Sequence, residues 1–150
     1  MAHSHVCCFM HVVFSTKDRM GLLTPEVRER LFPYMGGIAR RNEFAVVCVG
    51  GTENHVHLLL SLPATIAIAR AVQLVKGGSS KWIRETHPSG HLFEWQEGYG
   101  AFSVSVSMIH ATKTYIASQV EHHRTKTFED EFIEFLKRHT VEYDPRFVFG

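Results

Sequence analysis

The stretch "HVHLLLSL" at positions 55–62 is the tightest constraint on how this chain can fold. Alternate residues of a strand point the same way, so Val56, Leu58, Leu60 and Leu62 share one face while His55, His57 and Leu59 share the other. The aliphatic face belongs against a helix-covered core. Both imidazoles then emerge on the opposite face, their Cα atoms roughly 6 to 7 Å apart.

The neighbouring segments supply a sheet and helices of the required kind. "HVCCFMHVVFST" is rich in Val and Phe and reads as a first strand. "TPEVRERLFPYMGGIARRN" starts a helix with Thr24 as N-cap and Pro25 at the first helical position, where a missing N–H costs nothing. Val27, Leu31, Tyr34 and Ile38 keep helical spacing, but Pro33 removes an internal hydrogen bond, which predicts a kink or two short helices. "FAVVCVGG" is a second, apolar strand ended by glycines, and "HVHLLLSL" is the third.

"TIAIARAVQLVKGGSSKWIRE" is a second helix weakened at Gly77 and Gly78, and "FEWQEGYGAFSVSVS" a fourth strand with Phe102, Val104 and Val106 on one face and Ser103, Ser105 and Ser107 on the other. From Ser107 to His123 the apolar positions Met108, Ile109, Thr112, Ile116 and Val120 recur at helical intervals. A last helix starting at Thr127 buries Phe128, Phe132, Phe135 and Leu136. The order predicts an α+β fold: a ferredoxin-like or RRM-like split βαβ, with a mainly antiparallel four- to five-stranded sheet and C-terminal helices.

Composition sets outer bounds. A chain of 150 residues that is 45% hydrophobic has material for one domain spanning 1–150 and not for two. Sixteen basic against fifteen acidic residues leave no global basic field, so nucleic acid would have to be met by a local patch. No apolar stretch approaches the roughly 18 to 20 residues that span a bilayer, and the opening lacks a signal peptide's basic start and cleavage site, which leads us to expect a cytosolic protein. Cys7, Cys8 and Cys48 show no C-x-x-C spacing and read as small buried apolar residues. Among the eleven histidines, His3, His5, His11, His87, His91, His110 and His139 read as ordinary surface or core polar residues; only His55 and His57, with His122 and His123, fall into a pattern.

The bare H-x-H supports two readings, a pair of metal ligands or two polar residues on a half-exposed strand. A histidine-triad hydrolase requires a third histidine where Leu59 stands, an amidohydrolase-type barrel needs about 250 residues, and no second motif of a two-histidine phosphoesterase is evident. A metal site would therefore be completed from elsewhere. In "ATKTYIASQVEHH", Tyr115 and Gln119 stand one helical turn apart on one face. The Gln119 amide oxygen is a candidate third ligand, and Tyr115 is either a packing aromatic or a hydroxyl beside the metal. A phenol with an ordinary pKa of about 10 is a poor nucleophile without such help.

The segments "NHVHLLLSLP", "LVKGGSSKWI", "WQEGYGAFSVS" and "YIASQVEHH", in this order, resemble the IS200/IS605-type transposases, the single-tyrosine branch of the HUH nucleases. The resemblance covers nearly the whole chain. It implies that His55 and His57 are the HUH metal ligands, Gln119 the third ligand and Tyr115 the nucleophile. It further implies a transposase that cleaves and rejoins single-stranded DNA, with hairpins at the element ends, through a 5'-phosphotyrosine intermediate. The implied cofactor is Mg or Mn, with no small-molecule cofactor. A homodimer is implied, paired through a strand resembling "AFSVS", in a bacterial or archaeal cytoplasm at the nucleoid. Absence of a Walker loop and of a carboxylate-rich nuclease cluster agrees with a reaction that consumes neither ATP nor attacking water.

The chain departs from the family pattern at Asn54, where an acidic residue often precedes the histidine pair; an amide orients a ring with less charge. Candidate phosphate contacts are Lys76, Lys81 and Arg84 around "KGGSSKW" and Lys113 on the tyrosine helix, with Arg40, Arg41, Arg124 and Lys126 as further basic positions. The readings that compete with a transposase are a catalytically silent single-strand binding module of the same fold and a metal nuclease that uses water.

Overall fold

The computed structural model describes residues 3–87 and 92–150; His91 lies outside the described residues. Four strands, β1 (Phe9–Ser15), β2 (Ala45–Gly51), β3 (His55–Ser61) and β4 (Gly100–Val104), form one antiparallel sheet in the order β2-β3-β1-β4. Two long helices, α1 (Pro25–Arg41) and α2 (Ile68–Thr86), follow β1 and β3. After β4 come α3 (Ile109–Ala117), α4 (Gln119–His122) and α5 (Phe128–Arg138). This is the expected split βαβ order with a helical extension.

The period of two along the strands divides the interior into two layers. Met10, Val12 and Phe14 of β1 join Val56, Leu58 and Leu60 of β3 in a core shared with Val27, Leu31 and Met35 of α1 and Val72 and Val75 of α2. On the other face, Val13 and Phe102 pack with Phe128, Phe132, Phe135 and Leu136 of α5. His55 and His57 belong to this second layer and are fully buried, so the strand is not half-exposed at their positions.

Local chemistry explains where α1 and α5 begin. The Thr24 hydroxyl accepts from the Val27 amide and Pro25 opens α1, as its sequence predicts. The kink or split expected at Pro33 does not divide the helix, which runs through as one element. Pro33 and Glu29 are both exposed, so the Glu29 carbonyl that loses its intrahelical donor belongs to the solvent side of the helix. α2 likewise runs through Gly77 and Gly78; a Cβ on Gly78 would stand 2.7 Å from Ile38 Cδ1, so this glycine lets α1 and α2 cross closely. The Thr127 hydroxyl accepts from the Asp130 amide, which starts α5 where the sequence places it.

The fourth strand and the helix after it depart from expectation. β4 covers only Gly100–Val104, because Phe93 and Trp95 turn inward to the first core and Trp95 donates to Ser79 Oγ at 3.0 Å. Val106 sits in a 3-10 turn and is 64% exposed, off the strand face predicted for it. The single helix expected from Ser107 to His123 breaks at Ser118, whose amide bonds back to the Tyr115 carbonyl in a tighter turn. Of its predicted apolar stripe Ile116 is buried, whereas Met108 and Val120 are exposed. Cys7 is exposed and Cys8 and Cys48 are half-buried, so the cysteines are not the buried apolar group their composition suggested.

Candidate active site

The site lies on the second face of the sheet, where β1 and β3 run antiparallel with Val13 opposite His57 and Ser15 opposite His55. On the other side of β3, Gly50 of β2 stands opposite His57. A Cβ there would lie 1.9 Å from the Ile116 carbonyl oxygen, so the missing side chain is what lets α3 settle onto β2. Tyr115 and Gln119 reach the histidines from this seat. Ring centroids of Tyr115 and His57 are 5.7 Å apart, and Gln119 Oε1 lies 3.2 Å from His55 Nε2.

Three sequence-predicted residues, His55, His57 and Gln119, are therefore brought together with Tyr115 within one chain. The centre of the cluster is a residue the sequence reading missed. Glu131 of α5 is buried and places Oε1 2.8 Å from His57 Nε2, 3.5 Å from His55 Nε2 and 3.0 Å from His123 Nε2. Its other oxygen accepts from the Tyr115 hydroxyl, which also lies 3.3 Å from His122 Nε2. Glu131 shares the α5 stripe with Phe128, Phe132 and Phe135, and a carboxylate on an otherwise apolar stripe was the available signal.

The outer ring nitrogens are held as ligand histidines require. His55 Nδ1 donates to Asn54 Oδ1 at 2.8 Å, with the Thr52 hydroxyl also in reach at 2.9 Å. His57 Nδ1 meets His11 Nε2 at 2.8 Å, so His11 is no incidental polar residue. Asn54 thus performs the orienting task of the missing acid. With a proton on Nδ1, His55 turns a lone pair at Nε2 toward the Gln119 carbonyl oxygen, whose amide is fixed by donation to the Tyr115 carbonyl at 3.1 Å. Two acceptors face each other there. His123 Nε2 is buried without a hydrogen-bond partner, because Glu131 lies off its bonding direction. A cation between these atoms satisfies all of them, so the residues fit a divalent metal.

Burial pushes His55 down to about 3, with His57 adding to the effect, and holds His57 below its ordinary value despite the hydrogen bond to Glu131. Both rings are neutral at pH 7, as metal ligands must be. Burial raises the Tyr115 phenol, and its hydrogen bond to Glu131 raises it further. Burial also pushes Glu131 up, but the imidazoles of His123 and His57 set against its carboxylate overcome this and hold its carboxyl far below the usual range.

The candidate phosphate contacts are divided. Lys76, Lys81 and Arg84 lie on α2, across the sheet from the histidines. Lys76 donates to the carbonyls of Gln96, Glu97 and Gly98, Arg84 reaches the Phe93 carbonyl at 3.3 Å, and Lys81 is exposed. Lys113 is exposed on α3. The basic groups beside the site are Arg19, Arg124 and Lys126, which line a cavity of about 530 Å³ together with Asn54 and His123.

In sequence and in fold the chain is similar to known transposases. Residues 4–119 match the family described as "Transposase IS200 like". Over 116 residues the chain is 30% identical to the ISDra2 transposase TnpA of Deinococcus radiodurans, covering 73% of this chain and 81% of that protein. A crystal structure assigned to a transposase from Deinococcus radiodurans R1 superposes with a TM-score of 0.63 at 25% identity, over 77% of this chain and 94% of that one. The REP-associated tyrosine transposase bound to a REP hairpin shares the fold, with a TM-score of 0.56 at 14% identity over 77% of this chain and 68% of that one.

Proposed function

Since the chain belongs to the IS200-like transposase family, we propose that it cleaves and rejoins single-stranded DNA at the ends of an insertion sequence, with Tyr115 as nucleophile. The observation that carries this reading is the shared carboxylate: Glu131 accepts the Tyr115 hydroxyl on one oxygen and meets His57 on the other. A half-buried phenol whose hydroxyl meets a buried carboxylate beside a histidine pair is costly to desolvate and useful at a phosphodiester.

The chemistry balances without ATP or water. As the Tyr115 oxygen bonds to phosphorus its proton passes to Glu131, and the 3'-oxygen leaves and takes that proton up. The product is a 5'-phosphotyrosine and a free 3'-hydroxyl; attack by another 3'-hydroxyl reverses the sequence and frees Tyr115. His55, His57 and Gln119 would hold the divalent ion, Mg or Mn in this reading, which would polarise the phosphoryl oxygen and offset its charge. Arg19, Arg124 and Lys126 around the adjacent cavity suit a phosphate backbone approaching Tyr115. β4 is an edge strand, which supports pairing of two chains through "AFSVS" into a homodimer. The shared fold of the hairpin-bound transposase supports hairpin DNA as partner.

Incubation with Mn or Mg and a labelled, hairpin-flanked oligonucleotide tests the proposal. A covalent adduct on a denaturing gel, lost in Tyr115→Phe and in His57→Ala, is expected. Cleavage without adduct that survives Tyr115→Phe would assign a water-using nuclease. Binding with neither cleavage nor adduct would assign a silent binding module.

A further inference from the structure

Glu131 is placed to receive the Tyr115 proton, but its burial keeps it from handing that proton to DNA. In phosphoryl transfer the attacking and leaving oxygens stand roughly in line on opposite sides of the phosphorus, so the proton has to travel to reach the departing 3'-oxygen. A carrier must touch Glu131 and also face the solvent from which the strand approaches. Four imidazoles lie within 3.5 Å of Glu131. His55 and His57 are fully buried, and His123, its side chain 9% exposed, is tied down by donation from Nδ1 to the Lys126 carbonyl at 2.6 Å. His122 differs: its side chain is 30% exposed, and its Nε2 lies 3.3 Å from the Tyr115 hydroxyl and 3.5 Å from Oε2 of Glu131, the oxygen that accepts from the phenol.

We propose that His122 is a further catalytic residue, carrying the proton between Glu131 and the 3'-oxygen of the cleaved strand. The inference rests on Tyr115 being the nucleophile. While the bond from the Tyr115 oxygen to phosphorus forms, the phenolic proton moves to Glu131 Oε2, then to His122 Nε2, and then to the 3'-oxygen as its bond to phosphorus breaks. Glu131 and His122 end as they began. In rejoining, the proton of the incoming 3'-hydroxyl runs the same path back to Tyr115. α4, a single turn after the break at Ser118, sets the His122 ring edge-on to Tyr115 with centroids 5.1 Å apart. Glu134, the next acid on α5, is engaged by Lys126 and leaves His122 to Glu131 and Tyr115. A histidine in the last turn of a helix also suits the helix dipole alone, and the two roles differ in what they predict for the leaving group.

Single-turnover adduct formation with Mn separates them, using two element-end oligonucleotides that differ in one atom: the ordinary 3'-oxygen at the scissile bond, or a bridging 3'-sulfur. The sulfur departs as a thiolate and needs no proton, since an ordinary thiol has a pKa of about 8.5. We expect His122→Ala to slow adduct formation about 100-fold on the oxygen substrate and less than about threefold on the sulfur substrate. Added imidazole should restore part of the lost rate on the oxygen substrate alone. Both substrates are compared on one protein preparation, so partial unfolding of the variant cannot imitate the difference. Equal slowing on both substrates would overturn the proposal and mark His122 as a support for Tyr115. A variant that matches wild type on the oxygen substrate would overturn it as well. Either result leaves Tyr115 as nucleophile, whereas a wild-type protein that forms no adduct on either substrate would refute that reading and the carrier with it.

Discussion

Gly50 lets the Ile116 carbonyl approach the sheet closely, and this contact sets where Tyr115 sits. In Gly50→Ala the new Cβ would start 1.9 Å from the carbonyl oxygen, and ordinary contact begins at 3.4 Å, so α3 must retreat by about 1.5 Å. Backbone on both sides leaves no flexible side chain to absorb the overlap. Overpacking of this kind costs about 1 to 3 kcal/mol, which a domain with the usual stability of roughly 5 to 15 kcal/mol survives. The catalytic effect should be larger, because a displacement near 1 Å at a reacting group costs on the order of 100-fold in rate. We expect Gly50→Ala to fold, to melt several degrees lower, and to form the DNA adduct about 100-fold more slowly in single-turnover experiments at saturating DNA. Gly77→Ala is the matched control: no atom lies within 4 Å of its new Cβ, so the change should stabilise α2 by about 0.5 to 1 kcal/mol. A folded Gly50→Ala protein whose adduct rate stays within about twofold of wild type would refute the argument that the seat of α3 on β2 positions Tyr115.

Three further outcomes follow from the site and its supports. His11→Ala should lower metal affinity about 10- to 100-fold without unfolding the protein, read by isothermal titration, because His11 orients His57 and is not itself a ligand. Thr127→Ala should cost about 1 kcal/mol through the lost N-cap of α5, read as a lower denaturant midpoint. The metal-free protein should lose stability as pH falls from 6.5 toward 3: His11 and His55, both pushed down to about 3, refuse protons that the unfolded chain accepts, each adding up to about 1.4 kcal/mol per pH unit. His123, raised by Glu131 against the pull of burial, works in the opposite sense, and a denaturant midpoint independent of pH between 7.5 and 5 would contradict the balance stated here.

The first three strands and α1, α2 and α5 were legible from local pattern: alternation in "HVHLLLSL", Thr24 with Pro25 opening α1, helical apolar spacing in α2, and Thr127 before the aromatic stripe of α5. What followed β3 was less legible wherever tertiary contacts outweighed local pattern. "FEWQEG" has strand-like residues, but Phe93 and Trp95 gain more by entering the first core than by extending β4. The run 107–123 reads as one amphipathic helix, yet α3 must descend onto Gly50 while Gln119 turns toward His55, and the break at Ser118 accommodates both. The histidine pair, Tyr115 and Gln119 stood out as a short motif. Glu131 and His11 did not, since each is separated in sequence from its partner, and only the folded chain reveals that a charge on an apolar stripe and a lone strand histidine converge on His57.

The central claim is a covalent bond between the Tyr115 phenolic oxygen and a DNA 5'-phosphate. Protease digestion after reaction with single-stranded element-end DNA, followed by mass spectrometry of the peptide containing Tyr115, tests it directly. The account predicts that this peptide alone carries a nucleotide mass, joined through a phosphodiester to the tyrosine. Cleaved DNA accompanied by an unmodified Tyr115 peptide, or by the nucleotide on another residue, would contradict it.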